Sequence, residues 1–176
     1  IINSKKNSHL FFTVSDLEFH KVENKGELFT EIHVDGFSKS YDIGNPDLPV
    51  FSKLIEVPSI GDIYISVINK SETVIDLTDI GYSDKLIPSQ YSISKSEDPM
   101  NIGFSFNQKV YMADEYYANE LISIERLGKM RDRTLARIKI SPFSYHPLIH
   151  SLKVIDALEF KVEYSSNIQS QNSAHY

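Results

Sequence analysis

The stretch Leu158-Glu159-Phe160-Lys161-Val162-Glu163-Tyr164 alternates apolar and charged side chains at every position. Successive side chains of a β-strand point to opposite faces, so the four apolar groups share one face and the three charged groups share the other. The stretch therefore predicts an antiparallel strand that covers a core with one face and meets solvent with the other.

The same two-residue period, with Ile, Val, Phe and Tyr enriched, recurs along the chain and predicts further short strands. They cover residues 10–14, 17–22, 28–34, 63–68, 74–77 and 135–140. Asn24-Lys25-Gly26 separates the second and third of them and predicts a hairpin in which glycine supplies a positive φ. Only residues 114–121 have a spacing compatible with a helix.

Many short strands with at most one helical turn are typical of an all-β domain, and two packed antiparallel sheets bury alternating faces. The fold class we predict is therefore a two-sheet antiparallel β-sandwich, jelly-roll-like, formed by residues 1–164. Residues 165–176 are rich in Ser, Asn and Gln and are expected to be a polar linker toward a downstream domain. The side chains expected to face inward are Leu28, Ile32, Ile65, Val67, Ile138, Ile140, Phe160 and Val162.

Composition excludes several classes of protein. Hydrophobic residues make up 41% and charged residues 24% of the 176 residues, as in globular domains, and no apolar run has the roughly 20 residues of a membrane span. Cysteine is absent, which excludes disulfides and a cysteine nucleophile within this chain. The net charge of −6 without a basic cluster argues against a nucleic-acid partner.

No common catalytic signature is present, since G-x-S-x-G, H-E-x-x-H, P-loop and G-x-G-x-x-G patterns are all missing. His146 and His150 have a metal-like spacing, but Pro147 opposes the helix that would align their rings, so a turn is expected. Loop acids at Glu97-Asp98 and Asp114-Glu115 are expected to be solvated rather than calcium ligands. We therefore predict no catalytic residue, no metal and no cofactor.

Ten Tyr and ten Phe allow either a well-filled core or a sugar-stacking platform. The adjacent pair Tyr116-Tyr117 cannot point inward twice on a strand, so one ring is expected at a surface or partner contact. Arg131-Asp132-Arg133 is expected to be a charged turn between two strands. The phenylalanines assigned to the core are Phe11, Phe19, Phe104, Phe106 and Phe160.

The stretch Gly44-Asn45-Pro46-Asp47-Leu48-Pro49-Val50, continuing to Val57, resembles a segment of the propeptides of gingipain-like C25 cysteine peptidases. Further similar segments follow in the same order between residues 87 and 147. They are Ile87-Pro88-Ser89, residues 93–99, Tyr111, Tyr116-Tyr117, Gly128, Arg131-Asp132 and residues 142–147, where His146 stands in place of an expected Asn. These motifs fix turns and fill sheets, so they identify a scaffold and not an active site.

The resemblance implies a non-catalytic, secreted or envelope-located bacterial propeptide whose signal peptide has been removed. Its partner would be the downstream cysteine peptidase domain of the same precursor, for which it would act as intramolecular chaperone and latency domain by capping the active-site cleft. In that family a basic residue at the position of Lys95 lies on the loop that enters the specificity pocket. Lys95 is therefore the candidate pocket anchor, with Ser94, Ser96 and Glu97 beside it.

Two other functions remain open from the sequence. The chain could be a non-catalytic carbohydrate-binding or adhesive module of an envelope protein, which an aromatic platform on one sheet would favour. It could also be a purely structural domain, since β-sandwiches carry many unrelated functions. A protruding Lys95 loop would favour the propeptide over both.

Overall fold

The structure is a computed structural model that describes residues 8–92 and 103–165 of the 176-residue chain. Within these two ranges, ten strands and one short helix follow each other. They are β1 (Ser8–Thr13), β2 (Leu17–Asn24), β3 (Glu27–Val34), β4 (Phe51–Val57), β5 (Ile63–Asp76), α1 (Gln108–Tyr111), β6 (Tyr117–Ala118), β7 (Ile122–Met130), β8 (Arg133–Ile140), β9 (Phe143–His146) and β10 (Ser151–Tyr164).

Strand β10, which contains the alternating stretch, is the centre of a five-stranded antiparallel sheet. β5 pairs with β10 along its whole length, and β1 and β9 pair with the two halves of β10. β6 extends the sheet beyond β9. The alternation acts as expected, because Leu158, Phe160 and Val162 are buried.

A three-stranded antiparallel sheet, in the order β4-β8-β7, faces the first sheet. One core lies between the two and includes Phe12 of β1, Phe160 of β10 and Ile138 of β8. A second core, which includes Ile32, Leu152 and Tyr145, lies under the separate β2–β3 hairpin. The antiparallel β-sandwich prediction is confirmed, and the hairpin adds a third small sheet to it.

The turn chemistry expected from the sequence is present. Asn24 pairs with Glu27, so the β2–β3 loop contains only Lys25 and Gly26, at φ 52° and 83°. Positive φ at both central residues matches the right-handed twist of the flanking strands. A second two-residue turn joins β7 and β8 at Arg131-Asp132, as predicted.

Two local predictions are wrong. The segments 63–68 and 74–77 form one strand, β5, because the polar residues between them keep their backbone pairing with β10. The helical turn lies at Gln108–Tyr111, before residues 114–121, whose Tyr117 and Ala118 pair with β9 instead. In both segments, hydrogen bonding to a neighbouring strand determines the secondary structure more strongly than the side-chain pattern does.

Three side chains expected in the core are exposed. Leu28 lies next to the hairpin turn, beyond the edge of the core, and is 51% exposed. Val67 lies on β5, the outer strand of the first sheet, and is 46% exposed. Phe11 alternates with the buried Phe12 and so points away from the core, with 74% exposure.

Strand β10 ends at Tyr164, and Ser165 exchanges two hydrogen bonds with Asp62, the residue before β5. The expected linker from residue 166 onward lies outside the described residues, so its role and the domain boundary stay predictions. No helix in the part of the chain that the structure describes is long and apolar enough to cross a membrane.

Candidate functional site

The segment that begins at Gly44 contacts two later parts of the chain. Gly44 has φ +85°, a conformation that side chains disfavour, and a Cβ on it would meet the backbone nitrogen of Asn107 at 3.3 Å. The Gly44 N–H donates to the carbonyl of Ser89, and its own carbonyl accepts from Asn107, both at 2.8 Å. Glycine therefore lets one turn hold residues 89 and 107 together.

Asp47 lies inside this arrangement and is 7% exposed. Its Oδ1 accepts a hydrogen bond from the Ser40 N–H at 2.7 Å, and Ser89 Oγ lies 3.0 Å from the same oxygen. Ser89 is itself buried, and its backbone N–H donates to the Asn45 carbonyl. A buried carboxylate is stable only when it accepts hydrogen bonds of this kind, so Asp47 fixes the position of Ser89.

The side chain of Gln90 joins the two chain ends that flank residues 93–102. Its Nε2 donates to the Ser105 carbonyl at 2.7 Å, and its Oε1 accepts from the Ser105 N–H at 2.9 Å. The same Nε2 lies 3.1 Å from the carbonyls of Pro88 and Ser89. One amide side chain thus pairs with the backbone of Ser105 as a neighbouring strand would.

An aromatic row supports the chain on the other side of this junction. Phe104 packs on Phe29, and Phe106 stacks on Tyr111 with ring centroids 4.3 Å apart. The Tyr111 hydroxyl donates to the Leu86 carbonyl at 2.7 Å, and burial raises the pKa of Tyr111 well above its usual range. These contacts fix residues 104–111 against the second core.

We call residues 44–47, 88–90 and 105–107 together the pedestal. Its parts are far apart in sequence but exchange backbone and side-chain hydrogen bonds, including one from Asn107 Nδ2 to Asn45 Oδ1 at 2.7 Å. The candidate anchor Lys95 and its neighbours Ser94, Ser96 and Glu97 lie outside the described residues. The pedestal holds the chain on both sides of them, at Gln90 and at Ser105.

Other candidates do not assemble into a site. His146 and His150 lie at the two ends of the turn between β9 and β10, and His146 is buried beside Asp114, with its Nε2 3.4 Å from Asp114 Oδ1. Glu97 and Asp98 lie outside the described residues. Within residues 8–92 and 103–165, no group of three or more His, Asp or Glu side chains could hold a metal ion.

The pair Tyr116-Tyr117 is half-buried at both positions. The Tyr117 hydroxyl donates to Asp42, and burial together with this bond raises the pKa of Tyr117. Tyr116 packs edge-on against His146, and Lys153 Nζ lies 4.1 Å from its ring centroid. Both rings therefore make contacts within the domain.

Among residues 8–92 and 103–165, the most exposed aromatic side chains do not pack on one another. Those most exposed among the described residues are Phe11, Tyr41, Tyr64 and Tyr91. No ring contact found in the described part of the chain joins two of them. The carbohydrate-binding alternative thus receives no support from these rings.

Sequence reasoning missed three pedestal residues, Gln90, Ser105 and Asn107. They are ordinary polar residues outside the family motif, and their spacing of 15 or more positions from their partners gives no local pattern. The sequence pointed to this region only through Gly and Pro at residues 44–49 and 88. These residues restrict the backbone or let another segment approach it closely.

Comparison with known proteins agrees with the motifs. The family model named Propeptide_C25 matches residues 1–175. Lys-gingipain HG66 of Porphyromonas gingivalis is 34% identical over 162 residues, which cover 92% of this chain and 9% of the relative. Gingipain R1 of the same organism is 22% identical over 156 residues, or 88% of this chain. The chain therefore spans only a small part of the relatives it matches.

Solved structures show the same fold. The structure described as zymogenic latency of gingipain K from P. gingivalis aligns with TM-score 0.85 at 34% identity, covering 93% of this chain and 90% of that one. The complex of P. gingivalis RgpB pro- and mature domains aligns with TM-score 0.76 at 19% identity, covering 91% and 80%. With a family model over almost the whole chain and the same β-sandwich, the protein belongs to the C25 peptidase propeptide family.

Proposed function

We propose that this chain keeps the peptidase domain of its own precursor latent by capping the active-site cleft, and that residues 93–102 carry the contact that enters it. The observation that carries the proposal is the pedestal. The family motif at residues 44–47 and the Ile87-Pro88-Ser89 segment meet where the chain enters and leaves residues 93–102. A scaffold of this kind reduces the entropy that a recognition segment loses on binding.

Lys95 is the proposed anchor of this contact. The relatives at 34% identity are Lys-gingipains, and a lysine-accepting pocket in the matching peptidase would receive the Lys95 ammonium. Ser94, Ser96 and Glu97 would flank it in the cleft as short polar contacts. One buried, paired charge at the centre of an interface contributes far more to affinity than charges on its rim.

The test is inhibition in trans. The 176-residue chain is added to the peptidase domain of its own precursor, and to Lys-gingipain as a second enzyme, at two ionic strengths. Lys95→Ala should weaken inhibition by about thirtyfold or more, because truncating one partner of a buried charge pair costs about 2 to 5 kcal/mol. Lys129→Ala, on the exposed part of β7, is the matched control and should change inhibition by less than about threefold.

Lack of inhibition by the unaltered chain would contradict the latency function itself. Inhibition that Lys95→Ala leaves unchanged would instead exclude Lys95 as the anchor and keep the cap. The chaperone part is tested separately, by refolding the denatured peptidase domain with and without the chain and measuring recovered activity. An equal yield in both cases would exclude that part.

A propeptide with this function would be exported from a bacterial cell together with its peptidase. We infer an extracellular or envelope location from the gingipain relatives, and fractionation of the producing cells would test it.

A further inference from the structure

One face of the β2–β3 hairpin carries two histidines on neighbouring strands. In the antiparallel register, His20 lies opposite Glu31 and His33 lies opposite Glu18, so these four side chains share a face. Ile32 belongs to the other face and is buried in the second core. The face with the histidines therefore points to solvent, and both imidazole rings are exposed.

The two rings are close enough to share one metal ion. The centroids of His20 and His33 lie 6.1 Å apart, with 57° between the ring planes. Two imidazoles on one tetrahedral ion, each with a nitrogen about 2.0–2.1 Å from the metal, have centroids roughly 5 Å apart. Because both side chains are exposed, a small rotation of either ring removes the difference of about 1 Å.

The carboxylate of Glu18 supports this arrangement. Its Oε2 lies 3.3 Å from His20 Nε2, so Glu18 can hold the nitrogen that carries the proton and leave Nδ1 as the ligand. Histidines that bind metals in proteins commonly have a carboxylate in this place. It orients the ring and makes the other nitrogen a better ligand.

The charges around the two rings favour a cation. Asp16 and Asp35 flank the paired ends of the two strands, and Glu18 lies on the face with the histidines. Glu31 is neutralised by Lys39, whose Nζ lies 2.6 Å from Glu31 Oε1. The other three carboxylates attract a positive ion, and imidazole ligands select Zn²⁺, Cu²⁺ or Ni²⁺ over Ca²⁺ and Mg²⁺, which prefer oxygen.

We propose that His20 and His33 bind one divalent transition-metal ion of the zinc type, with water completing its coordination. The described residues offer no group of three metal ligands, so the ion depends on both rings. These rings come together only when β2 pairs with β3, and the ion should therefore stabilise the folded hairpin. The inference does not depend on the capping function.

Zinc titration of the 176-residue chain, prepared without a histidine tag, tests the site. Isothermal titration calorimetry with zinc chloride should show one ion bound per chain, and the melting temperature should rise with zinc concentration. His20→Ala and His33→Ala should each weaken zinc binding by about tenfold or more and remove the rise in melting temperature, because each leaves a single exposed imidazole. Calcium chloride should have neither effect.

His9→Ala is the matched control and should leave the zinc affinity unchanged. His9 also lies beside a carboxylate, with its Nε2 2.7 Å from Glu159 Oε1, but its ring contact in the described part of the chain is with Phe11 and not with a histidine. Circular dichroism without zinc should match across the variants, because the substituted side chains are exposed. Absence of binding at millimolar zinc, or binding that His20→Ala or His33→Ala leaves intact, would overturn the proposal.

Discussion

The Gln90 side chain forms two hydrogen bonds with the backbone of Ser105, at 2.7 Å to its carbonyl and 2.9 Å from its N–H. This pair connects residues that are 15 positions apart and that flank residues 93–102. No other side chain in the described part of the pedestal bonds both backbone groups of one residue. Gln90 is thus the most direct link between the two ends of the proposed inhibitory segment.

Replacing Gln90 should loosen these two ends without unfolding the domain. Gln90→Ala removes both bonds to Ser105, and we expect a loss of about 1 to 3 kcal/mol in unfolding free energy. Cleavage after Lys95 by a lysine-specific protease should become several-fold faster. The control is Gln108→Ala, since the Gln108 amide contacts only the exposed Met112 sulfur among the bonds found. Equal cleavage rates in both variants would contradict the prediction.

Gly44 should be the least replaceable glycine of the pedestal. Gly44→Ala adds a Cβ 3.3 Å from the Asn107 nitrogen and also strains a positive φ, whereas Gly81→Ala strains a similar φ of +88° with nothing within 4 Å. The strain alone costs about 1 to 2 kcal/mol, so urea unfolding should show a larger loss for Gly44→Ala. Equal losses of unfolding free energy in the two variants would mean that the close approach of Gly44 to Asn107 does not affect stability.

The sandwich could be predicted because, in its central strands, the apolar residues that recur every second position are also the buried ones. Phe160 and Val162 alternate with charged residues and are buried as expected. The prediction was wrong where that agreement ends. Residues 69–73 of β5 have no apolar face, yet their backbone completes the ladder with β10, and a side-chain pattern contains no information on such pairing.

The candidate site was predictable only in part. Gly44, Pro46 and Pro88 indicated positions where the backbone conformation is restricted. In the structure, Pro46 and Pro88 form one antiparallel bridge. The partners of that backbone, Gln90 and Asn107, are determined by the folded arrangement of distant segments. A polar residue whose only task is to hydrogen-bond a distant backbone group has no sequence signature.

Two buried tyrosines, Tyr111 and Tyr145, and the half-buried Tyr117 should make the domain sensitive to alkali. Burial raises the pKa of Tyr145 to about 12 and raises the pKa values of Tyr111 and Tyr117 as well. Between pH 10 and 12 the unfolded chain loses these protons while the folded chain retains them, so unfolding free energy falls as pH rises.

Tyr145→Phe should make that fall shallower by up to about 1.4 kcal/mol per pH unit, the contribution of one proton. Urea unfolding at steps between pH 9 and 12 measures the slope. Tyr91→Phe, at an exposed position, is the control and should leave it unchanged. If the unfolding free energies of both variants fall equally steeply with pH, the raised pKa of Tyr145 does not contribute to the alkali sensitivity.

Lys95→Arg distinguishes a lysine pocket from a general basic pocket. An arginine keeps the charge but carries a planar group of different shape and hydrogen-bonding geometry, so it cannot replace an ammonium in a pocket fitted to lysine. Against the peptidase domain of the same precursor we expect inhibition about tenfold weaker than that of the unaltered chain, yet stronger than that of Lys95→Ala. The inhibition constants are compared at low and high salt, because a rim contact would respond mainly to ionic strength. Full inhibition by Lys95→Arg at both salts would reject lysine selectivity, while still requiring a positive charge at this position.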